Sequence, residues 1–232
     1  MIFKLLRPIS WLVGYIKFKV DRLRLNRLVR RGLRIGKNVY IFQDVEIDPG
    51  YPFLIEIGDN CRISKGVTIL AHDATTFKDL GITRLAPVKI LEGTFIGQRA
   101  IILPGVTIGP GALIAAGSVV NRDIPADRAA AGNPARPYSS YSEIIEKYRE
   151  GAPTQQVFDF KDIERGIIKP EDIIKSLENG GVAFVRSVPT KDPFYVNTDM
   201  NEIRENACRA FEKLGCGHSK GKAEKSPERG EE

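Results

Sequence analysis

The chain has 232 residues, of which 42% are hydrophobic, with three cysteines and a formal net charge of +6. That length suits one domain with appendages or two small ones. The sparse cysteines (Cys61, Cys208 and Cys216) argue against a disulfide framework and for a reducing compartment.

The charge is uneven. Residues 1–37 carry eleven Lys/Arg against one Asp, and the tail 217–232 carries four residues of each sign, so the body between them is net acidic. The basic character belongs to the arm, and no nucleic-acid partner is expected. The longest uncharged run of the arm, Pro8 to Ile16, is far shorter than the ~20 apolar residues that span a bilayer. No small-residue cleavage site follows it, so a signal peptide is not expected. Leu5, Ile9, Leu12, Ile16, Val20 and Leu23 recur at helical spacing with Arg and Lys between them. Residues 1–34 are therefore predicted to be a basic amphipathic helical arm. Such a helix packs on its own protein or a neighbouring subunit, or else lies on an anionic membrane surface through residues 1–31.

From residue 35 the period changes to six. Positions 35, 41, 47, 57, 63, 69, 90, 96, 102, 108, 114 and 120 read Ile eleven times and Val once. Gly follows directly at 36, 58, 97 and 109. Small or β-branched residues stand four places after most repeat starts: Val39, Val45, Cys61, Val67, Thr94, Ala100, Val106, Ala112 and Ser118. Helices repeat near 3.6 and strands near 2; a period of six means a short strand plus a tight turn, repeated. Three units close a triangular coil, and stacked coils pair by parallel ladders about 4.8 Å apart. Twelve units make four coils, at residues 35–52, 57–74, 90–107 and 108–125.

The repeat breaks twice, between Ile47 and Ile57 and between Ile69 and Ile90. Both breaks fall in the third unit of a coil and are expected on one edge of the prism. Loops on a rigid scaffold are where function concentrates. His72, one of two histidines, stands at the mouth of the larger break, with Gly50 and Gly105 at the equivalent positions below and above. A buried structural histidine fits this place poorly, because the inward slots belong to Ile and the small residues. A zinc ligand needs further His or Cys beside it, yet His218 lies in the tail and Cys61 falls on an inward slot. What remains is a proton-transfer group, a task imidazole performs near neutral pH.

After Pro137 the period ends. Tyr141 to Arg149 reads as a helix. A second opens at Lys169-Pro170-Glu171-Asp172 and closes at Gly180-Gly181. Residues 182–186 read as a short strand. Asp199 with Glu202 forms a capping-box pattern ahead of Ile203, Ala207, Ala210 and Leu214. The expected organisation is the arm (1–34), a repeat domain (35–137) with a loop at 75–89, an α-rich extension (138–216) and a disordered tail (217–232).

The stretches "IEIGDNCRISKGVTILAHD", "VKILEGTFIGQRAIILPGVTIGPGALIAAGSVVNRDIPAD" and "AAGNPARP" resemble the hexapeptide-repeat acyltransferases, most of all the branch that O-acetylates sugars and surface glycans. The resemblance implies a mainly β fold, a left-handed parallel β-helix of about four coils with an N-terminal helix and a C-terminal α-rich extension. It implies a cytoplasmic homotrimer, peripheral at the inner face of the membrane if the arm binds lipid. The active sites then lie between subunits, with acetyl-CoA as donor and no metal. The acceptor it suggests is a sugar hydroxyl of a surface polysaccharide or its precursor. By the same resemblance His72 is the catalytic base and the main-chain N–H of Gln98 meets the developing oxyanion. Ala116 lies along the pantetheine arm, Asn121 with Arg122 sits near the nucleotide, and Arg136 reaches the adenosine phosphates. Asp44 matches a polar acceptor contact. From the residues alone, Asp73 orients the imidazole, touches the acceptor or is an exposed turn residue, and Lys78 and Arg84 on the loop either face an acidic or phosphorylated sugar or are solvated loop charges. Two other readings stay open: N-acetylation of a nucleotide-linked amino sugar, and a β-helix scaffold without catalysis.

Overall fold

The computed structural model describes residues 16, 19–151, 157–159, 162–163, 165–177 and 184–186. By their contacts these fall into two units, one up to Tyr148 and one from Arg149 onward.

The first unit begins with helix α1 over residues 19–30. It ends in a Schellman turn: Leu33 N donates to the Leu28 carbonyl (3.1 Å) and Gly32 N to that of Val29 (3.0 Å), with Gly32 at φ +100°. The coils then stack as the period predicts. The first holds β1 (Arg34–Ile35), β2 (Tyr40–Ile41) and β3 (Glu46–Ile47). The second holds β4 (Ile55–Ile57), β5 (Arg62–Ile63) and β6 (Thr68–Ile69). Out of the second break come β7 (His72–Asp73), the short helix α2 (Phe77–Leu80) and β8 (Arg84–Leu85). The third coil holds β9 (Val88–Ile90), β10 (Phe95–Ile96) and β11 (Ile101–Ile102), and the fourth β12 (Thr107–Ile108), β13 (Leu113–Ile114) and β14 (Val119–Val120).

Three flat parallel ladders result. Sheet one runs β1-β4-β9-β12 and sheet three β3-β6-β11-β14. Sheet two runs β2-β5-β10-β13 and is continued by β15 (Arg128–Gly132) and the antiparallel β16 (Ala135–Ser140). Each repeat position stacks on its like: Ile35 on Ile57, Ile63 on Ile96, Ile69 on Ile102 and Ile102 on Val120. The column residues from Ile55 to Ile124 are almost wholly inaccessible, and Cys61, Val67, Ala100 and Ala112 fill the gaps between them. The buried Thr94 hydroxyl donates to the Leu91 carbonyl at 2.7 Å, so its polarity is satisfied. The repeat also runs further than four coils. Ile124 bridges Ile108, and Ala130 pairs with Ile114, after a step of four residues instead of six.

The corners explain the glycines. At the uninterrupted corners between strands of the four coils one residue adopts positive φ, among them Asn38, Asp44, Asn60, Gly93, Arg99, Gly105, Gly111 and Gly117. The glycines directly after the isoleucines have another reason. A Cβ on Gly97 would stand 2.5 Å from the Ala116 nitrogen of the next coil.

Of the alternatives left open for the N-terminal helix, packing of its apolar stripe on this same chain is not what the described residues show. Leu25 and Leu28 pack against the core with Leu33, Ile41 and Ile47. Ile16, Val20 and Leu23, members of the apolar series read in the sequence, are 53%, 55% and 69% exposed. The helix phase is set by what closes the open end of the first coil.

Helix α3 spans Tyr141–Gly151, close to the predicted helix, and its start is held by Asp127, whose carboxylate accepts from the Ser140 and Ser142 hydroxyls at 2.7 Å. In the second unit, β17 (Val157–Asp159) pairs in parallel with β18 (Phe184–Arg186), and α4 spans Pro170–Leu177. Helix α4 starts on Pro170 with Glu171 and Asp172 in its first turn, the signature read from the sequence. The capping-box pattern at Asp199 and the tail 217–232 lie outside the described residues.

Replacing Gly97 by Ala is expected to cost about 1–3 kcal/mol, because neither coil can retreat without breaking its ladder. The urea midpoint of the variant should fall accordingly, while Gly111→Ala, which meets no atom within 4 Å, pays only the positive-φ strain and should fall less.

Candidate active site

The prism has three edges, and the third, where sheet three turns into sheet one, carries both breaks. The two breaks are joined there by one carboxylate. Asp48 directly follows the column residue Ile47, and its side chain is fully buried. Its Oδ1 accepts from the backbone of Gly50 (2.9 Å) and Tyr51 (3.3 Å), which folds the first break. Its Oδ2 accepts from Ala71 N (3.0 Å) and bonds His72 Nδ1 (2.5 Å), which fixes the second. Burial alone would raise the carboxyl's pKa. The bond to His72 and those from Ala71 and Gly50 outweigh it, and the net shift is downward.

An ionised carboxylate only accepts hydrogen bonds, so Asp48 selects the tautomer with the proton on Nδ1 and the lone pair on Nε2. The imidazole is one-third exposed and sits 5.4 Å, ring to ring, from Tyr51. It lines a cleft of about 620 Å³ together with Leu70, Asp73, Thr75, Arg84, Leu103 and Asn121. A protected, oriented base at the wall of an open cleft is what proton transfer to and from a bound ligand requires.

The other residues singled out in the sequence divide between two edges. Asp73, Arg84 and Asn121 line the His72 cleft, and Arg122 is the exposed neighbour of Asn121. Asp73 accepts from Thr75 N (2.9 Å) and from the Thr75 hydroxyl, which lower its pKa, and it faces Arg84 across β7 and β8. The ring's partner is thus Asp48 and not Asp73. The Arg84 guanidinium lies over Gly105, 3.4 Å from where a Cβ would be. Lys78 is exposed on α2.

Asp44, Gln98 and Ala116 lie on the second edge, between sheets two and three. Gly117 N donates to the Gln98 carbonyl (2.8 Å), and Asp44 pairs with Lys65 at 3.7 Å. Within one chain they are a full sheet away from His72. Arg136, on the outer strand β16, donates to its neighbour's carbonyl, Ala135, at 2.8 Å. Cys61 is wholly buried with its thiol pushed up to about 11 by burial, which suits packing and not nucleophilic attack. Among the described residues no three His, Cys, Asp or Glu side chains gather as a metal-binding group, and no helix is long and apolar enough to cross a membrane.

Asp48 and Tyr51 were not singled out from the sequence. The available signal was an Asp one place past a column Ile, at the mouth of the other break on the same edge.

A hexapeptide repeat folded as three stacked parallel ladders defines a parallel β-helix. The pattern of the bacterial transferase hexapeptide (six repeats) matches residues 87–122, and that of the hexapeptide repeat of succinyl-transferase matches residues 32–71. YvoF of Bacillus subtilis, a protein assigned to the acetyltransferases, is 33% identical over 120 residues, 52% of this chain and 67% of its own length. The galactoside O-acetyltransferase of Escherichia coli is 36% identical over 107 residues, 45% of this chain and 52% of its own. A hexapeptide-repeat acetyltransferase of Vibrio cholerae, solved with acetyl coenzyme A, is 33% identical with a TM-score of 0.44, covering 47% of this chain and 60% of that one. The chain belongs to the hexapeptide-repeat acetyltransferase family, and its coils are those of a left-handed parallel β-helix. It spans between 42% and 67% of the length of the first curated relatives it matches.

Asp48→Asn should cost about 1–3 kcal/mol, because an amide NH₂ is then turned against backbone or ring donors. A carboxyl with a lowered folded pKa stabilises above its unfolded value and loses that contribution as pH falls through the folded one. Denaturant midpoints measured from pH 5 down to pH 2 should therefore drop less steeply in the variant than in the parent.

Proposed function

We propose that the protein transfers an acetyl group from acetyl-CoA to a sugar hydroxyl, with His72 as general base and Asp48 as its positioning residue. The observation that carries this reading is the buried Asp48 carboxylate bonded to Nδ1 of a cleft-lining imidazole. The acceptor hydroxyl attacks the thioester carbonyl while Nε2 takes its proton. The carbon–sulfur bond breaks, and the imidazolium returns the proton to the departing thiolate of coenzyme A. No acyl-enzyme is needed.

The acceptor is placed beside Asp73, Thr75 and Arg84, polar groups on the cleft wall that suit a hydroxylated and acidic sugar. Family membership and the likeness to a galactoside O-acetyltransferase support a sugar acceptor, and the acceptor proposed is a sugar of a surface polysaccharide or its precursor. The division of residues between two edges supports a cyclic trimer. A second chain that sets its second edge against this third edge brings Gln98, Ala116 and Asp44 to His72. In that arrangement Gln98 N–H meets the oxyanion, Ala116 borders the pantetheine arm, and Asn121, Arg122 and Arg136 hold the nucleotide end. The exposed Phe77, Leu80 and Ile82 of the loop then reach over the neighbour.

The test supplies acetyl-CoA with panels of hydroxyl and amine sugars and follows free thiol release together with oligomer mass. His72→Ala should lower kcat by on the order of 10²- to 10⁴-fold with the trimer mass unchanged. Turnover of amino sugars alone would move the assignment to N-acetylation. No coenzyme A binding, with the biological role intact in His72→Ala, would leave a scaffold.

A further inference from the structure

We propose that the outer face of α1 is a docking surface for an anionic lipid membrane, a role separate from acetyl transfer. In an α-helix, successive residues turn by about 100°. Leu25 and Leu28 therefore share one side of α1, the side buried on the first coil. Val20, Leu23 and Arg27 fall on the opposite side. Val20 and Leu23 are 55% and 69% exposed, and Ile16 is 53% exposed. Lys19 and Arg30 flank this stripe on one side and Arg24 on the other, all exposed. The only acid among residues 19–30 is Asp21, which is half-buried and turned to the groove between the helix and the first coil, beside Leu25 and Leu28.

The outward face is thus an apolar stripe bordered by cations with no acid on it. An interfacial helix buries its apolar side chains at the headgroup boundary while cations on long stems meet the anionic headgroups. An identical face on a second chain would bring the same cations together, so a two-fold contact through this stripe is disfavoured. The helix does not need the stripe for folding, since its packed side is the other one.

The experiment sediments the full chain with vesicles of phosphatidylcholine containing phosphatidylglycerol, and with phosphatidylcholine alone. Binding is expected only to the anionic vesicles. Replacing Arg24, Arg27 and Arg30 by Gln should weaken partitioning on the order of 100-fold. Val20→Ser with Leu23→Ser should weaken it roughly ten-fold or more, with circular dichroism and thiol release on a soluble acceptor unchanged. Equal binding to both vesicle types overturns the proposal, and so does anionic binding that survives Val20→Ser/Leu23→Ser. Loss of oligomer mass in these variants, with no vesicle binding by the parent, also overturns it and gives the face to another chain.

Discussion

Every coil must repeat the one beneath it, because a parallel ladder stacks like on like. Ile63 sits on Ile96 and Ile69 on Ile102, each column closed to water. Burying a side chain of that size contributes roughly 1.5–3 kcal/mol against its exposed state. The columns leave no room for an extra residue inside a face. Additional chain can leave only at a corner, and both departures leave at the same corner. The edge that carries His72 is therefore where the ladder lets the chain out and takes it back in register.

Asp48 turns that geometric permission into a site. Its two oxygens receive donors from both breaks, so the loops are held to each other as well as to the scaffold. The histidine acquires its tautomer from the same oxygen that takes the Ala71 amide. Folding of the edge and orientation of the imidazole are therefore one event, set by the same carboxylate. The cleft residues beside it come from three coils, with Leu70 and Asp73 from the second, Leu103 from the third and Asn121 from the fourth. Rigid strands fix all of them.

The fold was legible because its period is written in the residues: the twelve column positions are the twelve that stack. The continuation to Ile124 and Ala130 was not, since a step of four residues hides the phase. His72 was legible as a polar residue in the wrong place for a core. Asp48 was not, because its partner is 24 positions away and the contact exists only after two breaks have been laid side by side. The helical phase of the arm left its partner open for a related reason. Ile16, Val20 and Leu23 make the longer apolar series, yet Leu25 and Leu28 meet the prism, and a hydrophobic pattern alone does not say which of two faces will find a partner. The division between edges was available from counting units, as Gln98 and Ala116 follow second-unit isoleucines and His72 a third-unit one.

The ladders also have ends. At one, β16 runs antiparallel to β15 and interrupts the pattern. At the other, β1, β2 and β3 present open strand edges, and α1 lies against that coil through Leu25 and Leu28. A stack of identical flat rungs has no intrinsic reason to stop, and an uncovered rung is a template for the next molecule. The first helix therefore serves as a terminator: a chain clipped after it, and so stripped of it, would carry the means of growing into a fibre.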